Sequence, residues 1–193
     1  TGGAVNYIAA KPTSTFESAI TVGYASFDDK TVEGYVSGPL AGTLNARIAL
    51  KAEKSGDWQK SATTANELGG KDKINGRLLL DWQPTDQLKL AFNLTGFQDK
   101  SEIQALQYVG FSFLSPAMAP RIPQPYRDLI QINPAPNAGN RTADWGPRTP
   151  EQDNRLVQAS LRADYDLTED LHLVYIVSHA DFDYDRFSDP DGL

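Results

Sequence analysis

Cysteine is absent from all 193 residues, and that excludes both a disulfide framework and any thiolate metal site. Dense lysine and arginine are missing as well. With 18 basic against 25 acidic residues, a formal net charge of -7 and a pI near 4.8, the chain lacks the clustered positive charge that neutralises phosphates, so nucleic acid is not an expected partner. No apolar run is long enough for a membrane-crossing helix, in keeping with a mean hydropathy of -0.44. That absence leaves membrane strands open, because a strand crosses with about 9–11 residues and shows lipid only every second one. Helical spacing is scarce too. The one stretch worth naming, Pro125 to Ile132, has Pro120, Pro123, Pro134 and Pro136 around it and is expected to form a short turn at most.

What the chain does have is period two. LNARIALKAEKS from Leu44 sets Leu44, Ala46, Ile48, Leu50 and Ala52 against Asn45, Arg47, Lys51 and Glu53. INGRLLLDWQ from Ile74 repeats the pattern, with Ile74, Leu78, Leu80 and Trp82 opposed to Asn75, Arg77, Asp81 and Gln83. LKLAFNLTGF sets Leu88, Leu90, Phe92 and Leu94 against Lys89, Asn93 and Thr95, and FESAITVGY sets Phe16, Ile20, Val22 and Tyr24 against Glu17 and Thr21. TVEGYVSG from Thr31, RLVQASLRADY from Arg155 and LHLVYIVSHADFDYD from Leu171 alternate less cleanly. Seven strands are expected.

The links between them are unequal in an ordered way. GPLAGT (Gly38 to Thr43), PTDQ (Pro84 to Gln87) and DLTED (Asp166 to Asp170) are tight, whereas Ser55 to Asp72 and Lys100 to Gln152 are long. In an up-and-down sheet the tight turns all fall at one end, and only SFDDK is short at the other. Short turns on one side and long loops on the other characterise outer-membrane barrels. Trp82 and Tyr165 lie just before tight turns, where an interfacial aromatic girdle would place them. A soluble antiparallel sheet with one face on a core gives the same alternation, so a β-sandwich stays open on pattern alone.

The opening, TGGAVNYIAAKP, resembles the junction between plug and barrel in TonB-dependent outer-membrane receptors, at Gly2, Gly3, Val5, Asn6, Ile8, Lys11 and Pro12. Tyr7, Ala9 and Ala10 depart from the family's usual aliphatic, threonine and basic residues. The SGPL, WQPTDQLKL and DLTEDLHL turns are similar to the family's periplasmic hairpins, which extends the resemblance over essentially the whole chain. It implies an all-β fold, part of an antiparallel up-and-down transmembrane β-barrel of the large plugged kind. Residues 1–12 would be the C-terminal end of the plug, and residues 13–193 the N-terminal part of the barrel, with external loops near 55–72 and 100–152. Most of the plug, its energy-coupling box and the remaining strands would lie outside this sequence.

On physical grounds Gly2 and Gly3 suit a backbone turning in a crowded lumen, and Pro12, which cannot donate to a ladder, suits the exit from the plug sheet. The function the resemblance implies is active import of a scarce nutrient, foremost an iron-siderophore complex, across the outer membrane of a Gram-negative cell. The implied partners are that small molecule, the inner-membrane TonB complex acting through the plug, and outer-membrane lipid. A passive porin-like channel, a surface adhesin and a soluble binding module are the alternatives.

Ligand capture is expected on the long segment from Lys100 to Gln152, where Tyr108, Tyr126 and Trp145 stand beside Arg121, Arg127, Arg141 and Arg148. Arginine pairs bidentately with carboxylate-like oxygens, and rings stack on flat ligand faces; the bland account is a proline-stiffened loop covering the barrel mouth. No catalytic constellation, cofactor motif or metal-ligand set is expected. His172 and His179 differ in strand parity and should face opposite ways. FDYDRFSDPDG lacks the closing glutamate of a calcium loop and reads as a solvated loop base, and NLT at Asn93 and NRT at Asn140 are sequons of little weight here.

Overall fold

The computed structural model describes residues 2–3, 8–62, 64–107, 123, 139 and 141–189. They contain no helix and ten strands: β1 (Glu17–Ala25), β2 (Asp29–Ala41), β3 (Leu44–Lys54), β4 (Gln59–Ser61), β5 (Glu67–Leu68), β6 (Asp72–Trp82), β7 (Leu88–Asp99), β8 (Thr142–Ala143), β9 (Glu151–Asp166) and β10 (His172–Phe187). Seven of them form one sheet in the order β1-β2-β3-β6-β7-β9-β10, every neighbouring pair antiparallel. These are the seven strands expected from the alternation. The sheet is not closed into a barrel: β1 and β10 are its two edges.

Cross-strand partners share a face, so the register sorts the side chains. Val36, Ile48, Leu78, Leu94 and Ala159 form one row across five strands, and Ala41, Leu44, Trp82, Leu90 and Ala163 form another nearer the tight turns. The opposite face carries Arg47, Lys51, Arg77, Asp81, Lys89 and Asn93, as the alternation predicts. Only β10 is apolar on both sides, with Leu173, Tyr175 and Val177 on one and Val174 and Ile176 on the other.

On β3 the apolar face is the bare one, whereas on β6, β7 and β9 Arg77, Lys89 and Arg162 of the polar face are exposed and Leu78, Leu80, Leu90, Phe92 and Leu161 are half-buried. On β3, Ile48 is 52% exposed and Leu50 59%, whereas Arg47, Lys51 and Glu53 of the other parity are half-buried. In a water-soluble sheet the ranking would be the reverse. The polar face is knitted to itself: the Arg47 guanidinium lies 3.7 Å over the Tyr35 ring, Arg77 Nε donates to Thr95 Oγ1 at 2.7 Å, and Lys51 pairs with Glu53 at 3.1 Å.

Gly34, Gly76 and Gly96 fall in one row with Leu50 between the first two. A Cβ on Gly34 would come within 2.9 Å of the Ala19 carbonyl oxygen on the neighbouring strand, so at this point of the row the wall tolerates no side chain.

Several expectations need correction. GPLA of the expected GPLAGT turn belongs to β2, which runs to Ala41; the irregularity between Pro39 and Ala41 accommodates a proline that has no N–H to give the ladder, and only Gly42 and Thr43 turn. β10 runs on to Phe187, so FDYDRF is strand and not a loop base. A Cβ at Gly2 or Gly3 would meet nothing within 4 Å, and the crowding expected there is not made by the described residues. Finally, the two long connections hold secondary structure: β4 and β5 in the first and β8 in the second make a separate three-stranded sheet, β5-β4-β8. The Pro125 to Ile132 turn lies outside the described residues.

Candidate functional site

The long connections meet at one end of the wall. β4 pairs antiparallel with β5 and parallel with β8, which brings Lys60 beside Thr142 and Ser61 beside Ala143. Strands of two or three residues carry no readable alternation, so no pattern along the chain announces them. Around this small sheet Leu68, Ala105, Ala143 and Trp145 pack into the one buried cluster of the described residues. Buried Gln59 imitates a strand partner: its Nε2 donates to the Ala105 carbonyl at 2.9 Å and its Oε1 accepts the Ala105 N–H at 2.8 Å. Ser61 Oγ donates to the buried Asp144 carboxylate at 3.0 Å, and the Trp145 N–H donates to the same oxygen at 3.0 Å.

Below it the unit is stitched to the wall. The Gly56 N–H donates to the Phe27 carbonyl at 2.8 Å and the Lys100 N–H to the Asp72 carbonyl at 2.8 Å, while the Ser55 N–H closes the base of the first connection on the Lys71 carbonyl at 3.0 Å. Gly69 has φ +98°, and a Cβ there would run into the Trp58 indole, so only glycine fits. The N–H groups of Gly69 and Gly70 both donate to Glu102 Oε2, at 2.9 and 3.1 Å. Burial nevertheless holds the Glu102 carboxyl above its usual range, and the neighbouring Asp57 carboxyl pushes the same way. Ion pairs ring this end, among them Lys71–Asp29 at 2.7 Å, Lys73–Asp99 at 3.2 Å and Lys54–Asp72 at 3.4 Å.

Of the expected ligand-binding residues, the three described ones, Arg141, Trp145 and Arg148, stand in different surroundings. Trp145 is 8% exposed and turned into the small core. The Arg141 guanidinium sits 5.3 Å from the Phe27 ring centre; Arg148 lies 4.0 Å over the Phe187 ring and pairs with Glu151 at 3.2 Å. Tyr108, Arg121, Tyr126 and Arg127 lie outside the described residues. Asp57, Trp58, Gln59 and Glu102, which sequence reasoning passed over, do meet in this unit.

At the opposite, tight-turn end the polar face forms a trough of about 1090 Å³ lined by Lys11, Asn45, Asp81, Lys89, Arg162 and Asp164 among others. Lys11 is thus part of the polar side of the sheet, and Thr13 two residues on is bonded to buried Ser37 of the same face. The chain ahead of β1 therefore runs over the polar face and not the apolar one; Asn6 lies outside the described residues. Arg162 grips Asp164 bidentately at 2.7 Å, and His172 approaches Asp166 at 2.6 Å. His179 is opposite Ala159 on the apolar face, so the histidines do point apart. No group of three or more metal-binding side chains occurs among the described residues. The chain matches no family model and no curated protein sequence.

Proposed function

We propose that the chain is a section of the wall of an outer-membrane β-barrel that serves TonB-dependent uptake of a scarce nutrient, with a ferric siderophore as the foremost ligand class. The observation that carries the reading is the bare apolar parity of β3 and the start of β6: Ile48, Leu50 and Ile74 are exposed, while Arg47, Arg77 and Lys51 of the other parity are engaged by Tyr35, Thr95 and Glu53. Lipid is the medium in which that ranking is stable, since it costs about 2–4 kcal/mol to hold an arginine or lysine against the bilayer midplane.

Three further features agree. On β9 the apolar parity runs from Val157 to Tyr165, nine residues, the length a tilted strand needs to cross. Trp82 and Tyr165 end that band at the tight-turn side, on the apolar face. Seven up-and-down strands leave β1 and β10 running in the same direction, so antiparallel closure requires an odd number of further strands between those edges.

In this reading the polar face looks into the lumen, the run through Lys11, Pro12 and Thr13 is the exit from a plug, and the unit built on β4, β5 and β8 stands at the external mouth. The work is binding and gating, with no bond broken. The inner-membrane TonB complex acts through a plug that precedes the wall, and lipid covers the apolar face.

The test is made in a Gram-negative host carrying the full-length receptor. Outer-membrane fractionation should recover it at the density of that membrane, and uptake of iron-55 from a panel of ferric siderophores under iron limitation should depend on the TonB complex. Uptake that persists without the complex makes the protein a passive channel. For the chain alone, a monodisperse, cooperatively melting monomer in detergent-free buffer sinks the barrel reading, because a bare apolar face and two open edges must aggregate in water.

A further inference from the structure

The two long connections are 83 residues apart at the Ser61–Asp144 contact, yet their described parts share one sheet and one core. The Lys60 N–H donates to the Arg141 carbonyl and the Ala62 N–H to the Ala143 carbonyl, each at 2.8 Å. Leu68 of the first connection packs with Ala105, Ala143 and Trp145 of the second, and Gln59 ties Ala105 by both ends of its amide. Glu102 is the third link, accepting from Gly69 and Gly70 across the joint while its own N–H donates to the Gly70 carbonyl at 2.9 Å.

From this we infer that the described parts of 55–71 and of 101–150 are one cooperative body, a preformed cap that cannot be loosened on one side alone. The reason is energetic. The first connection buries no core by itself, since Leu68 has no apolar partner of its own segment in the buried cluster, and the Ala105, Ala143 and Trp145 that the second contributes lose part of their cover once Leu68 leaves. Two-residue strands are unstable singly, so each segment holds its fold only while the other is in place. A contact made by a bound molecule on either connection is consequently felt by both, which makes the cap a coupling element between surfaces distant in sequence. The inference stands whether or not the wall belongs to a transporter, since it concerns only how these two segments fold.

Hydrogen exchange on the full chain in detergent micelles tests it without any ligand. The Trp58 and Ser61 amides bond within the first connection, to Leu68 and Asn66; those of Ile103 and Thr142 bond within the second, to Pro150 and Gly139. In the Leu68→Ala variant the Ile103 and Thr142 amides should exchange at least tenfold faster, and in Trp145→Ala the Trp58 and Ser61 amides should do the same, while amides in the middle of β3 and β6 keep their rates. Acceleration confined to the connection that carries the substitution overturns the inference. A Lys60→Cys/Thr142→Cys pair covers the case in which those variants fail to insert: the residues are directly opposed in parallel strands and the chain has no other cysteine. Once oxidised, it should slow exchange on both connections together; slowing on one alone again overturns it.

Discussion

Thr13 and Ser37 lie 24 positions apart and share two contacts, the Thr13 N–H donating to Ser37 Oγ at 2.9 Å and the two hydroxyl oxygens standing 2.8 Å from each other. Ser37 is 1% exposed, so its hydroxyl has no water to turn to, and the pair fixes the run-in to β1 against the polar face of β2. Ser37→Ala leaves a Thr13 donor without its acceptor and should cost about 1–3 kcal/mol locally. Hydrogen exchange of the Thr13 amide should accelerate about tenfold or more while that of Val36 stays unchanged. An unaltered Thr13 rate means that the run-in is held by something else.

Ile48 and Arg47 are neighbours on opposite faces of β3. If the apolar face meets lipid, Ile48→Arg should destabilise the protein by about 2–4 kcal/mol in guanidinium titrations in phospholipid vesicles. Arg47→Met, which removes a guanidinium stacked on Tyr35, should cost only about 0.5–2 kcal/mol. Equal costs, or the reverse order, would put the charged face outward.

Glu102 gives the cap a pH dependence of known sign. Its carboxyl titrates above the ordinary glutamate range in the folded cap, so the folded form holds the proton more tightly than the unfolded one. The corresponding stability is fully present below the unfolded value, near 4.5, and is lost as pH rises through the raised one. Trp58 reports on the joint, being packed against Gly69. Its fluorescence should show the cap loosening toward neutral pH, and Glu102→Gln should flatten that profile. A wild-type profile that is flat, or that loosens toward acid, would contradict the assignment.

Phe27 sits in the left-handed region at φ 66°, followed by Asp28 at φ 54°. Aspartate tolerates that conformation and phenylalanine does not, at a cost of roughly 1–2 kcal/mol. The position is held by the Gly56 N–H on its carbonyl and the Arg141 guanidinium near its ring. Phe27→Asn should keep the carbonyl contact and relieve the strain, raising the stability of the β1–β2 hairpin by about 0.5–1 kcal/mol as read from chemical denaturation. A loss of stability would show that the Arg141 contact outweighs the backbone strain.

The main sheet was legible because its strands are long. Eleven residues from Leu44 to Lys54 repeat an apolar-polar step often enough to fix both the strand and the faces, and Ile74–Trp82 and Leu88–Leu94 repeat it in turn. Strand ends were less legible where an ordinary turn signal stood inside a strand. Pro39 marked a turn in the sequence, and β2 absorbs it as an irregularity because a neighbouring strand can shift register there.

The candidate site was hardly legible at all. Trp145 and Arg141 look like ligand-facing groups in a list of aromatic and basic residues, yet Trp145 fills a small core and Arg141 stands by the Phe27 ring. Nothing local distinguishes a tryptophan that stacks on a ligand from one that stacks on Leu68.

By itself, then, the sequence determined an all-β chain with seven long strands, one face apolar and the other charged, and connections sorted by length, since each of these follows from period two and turn chemistry along a single segment. Tertiary structure alone decided which connections touch. Gln59 finding Ala105, Ser61 finding Asp144 and Thr13 finding Ser37 are pairings between segments 24 to 83 residues apart, made of strands too short or side chains too ordinary to announce a partner. Only folding of the wall brings those segments within hydrogen-bonding distance.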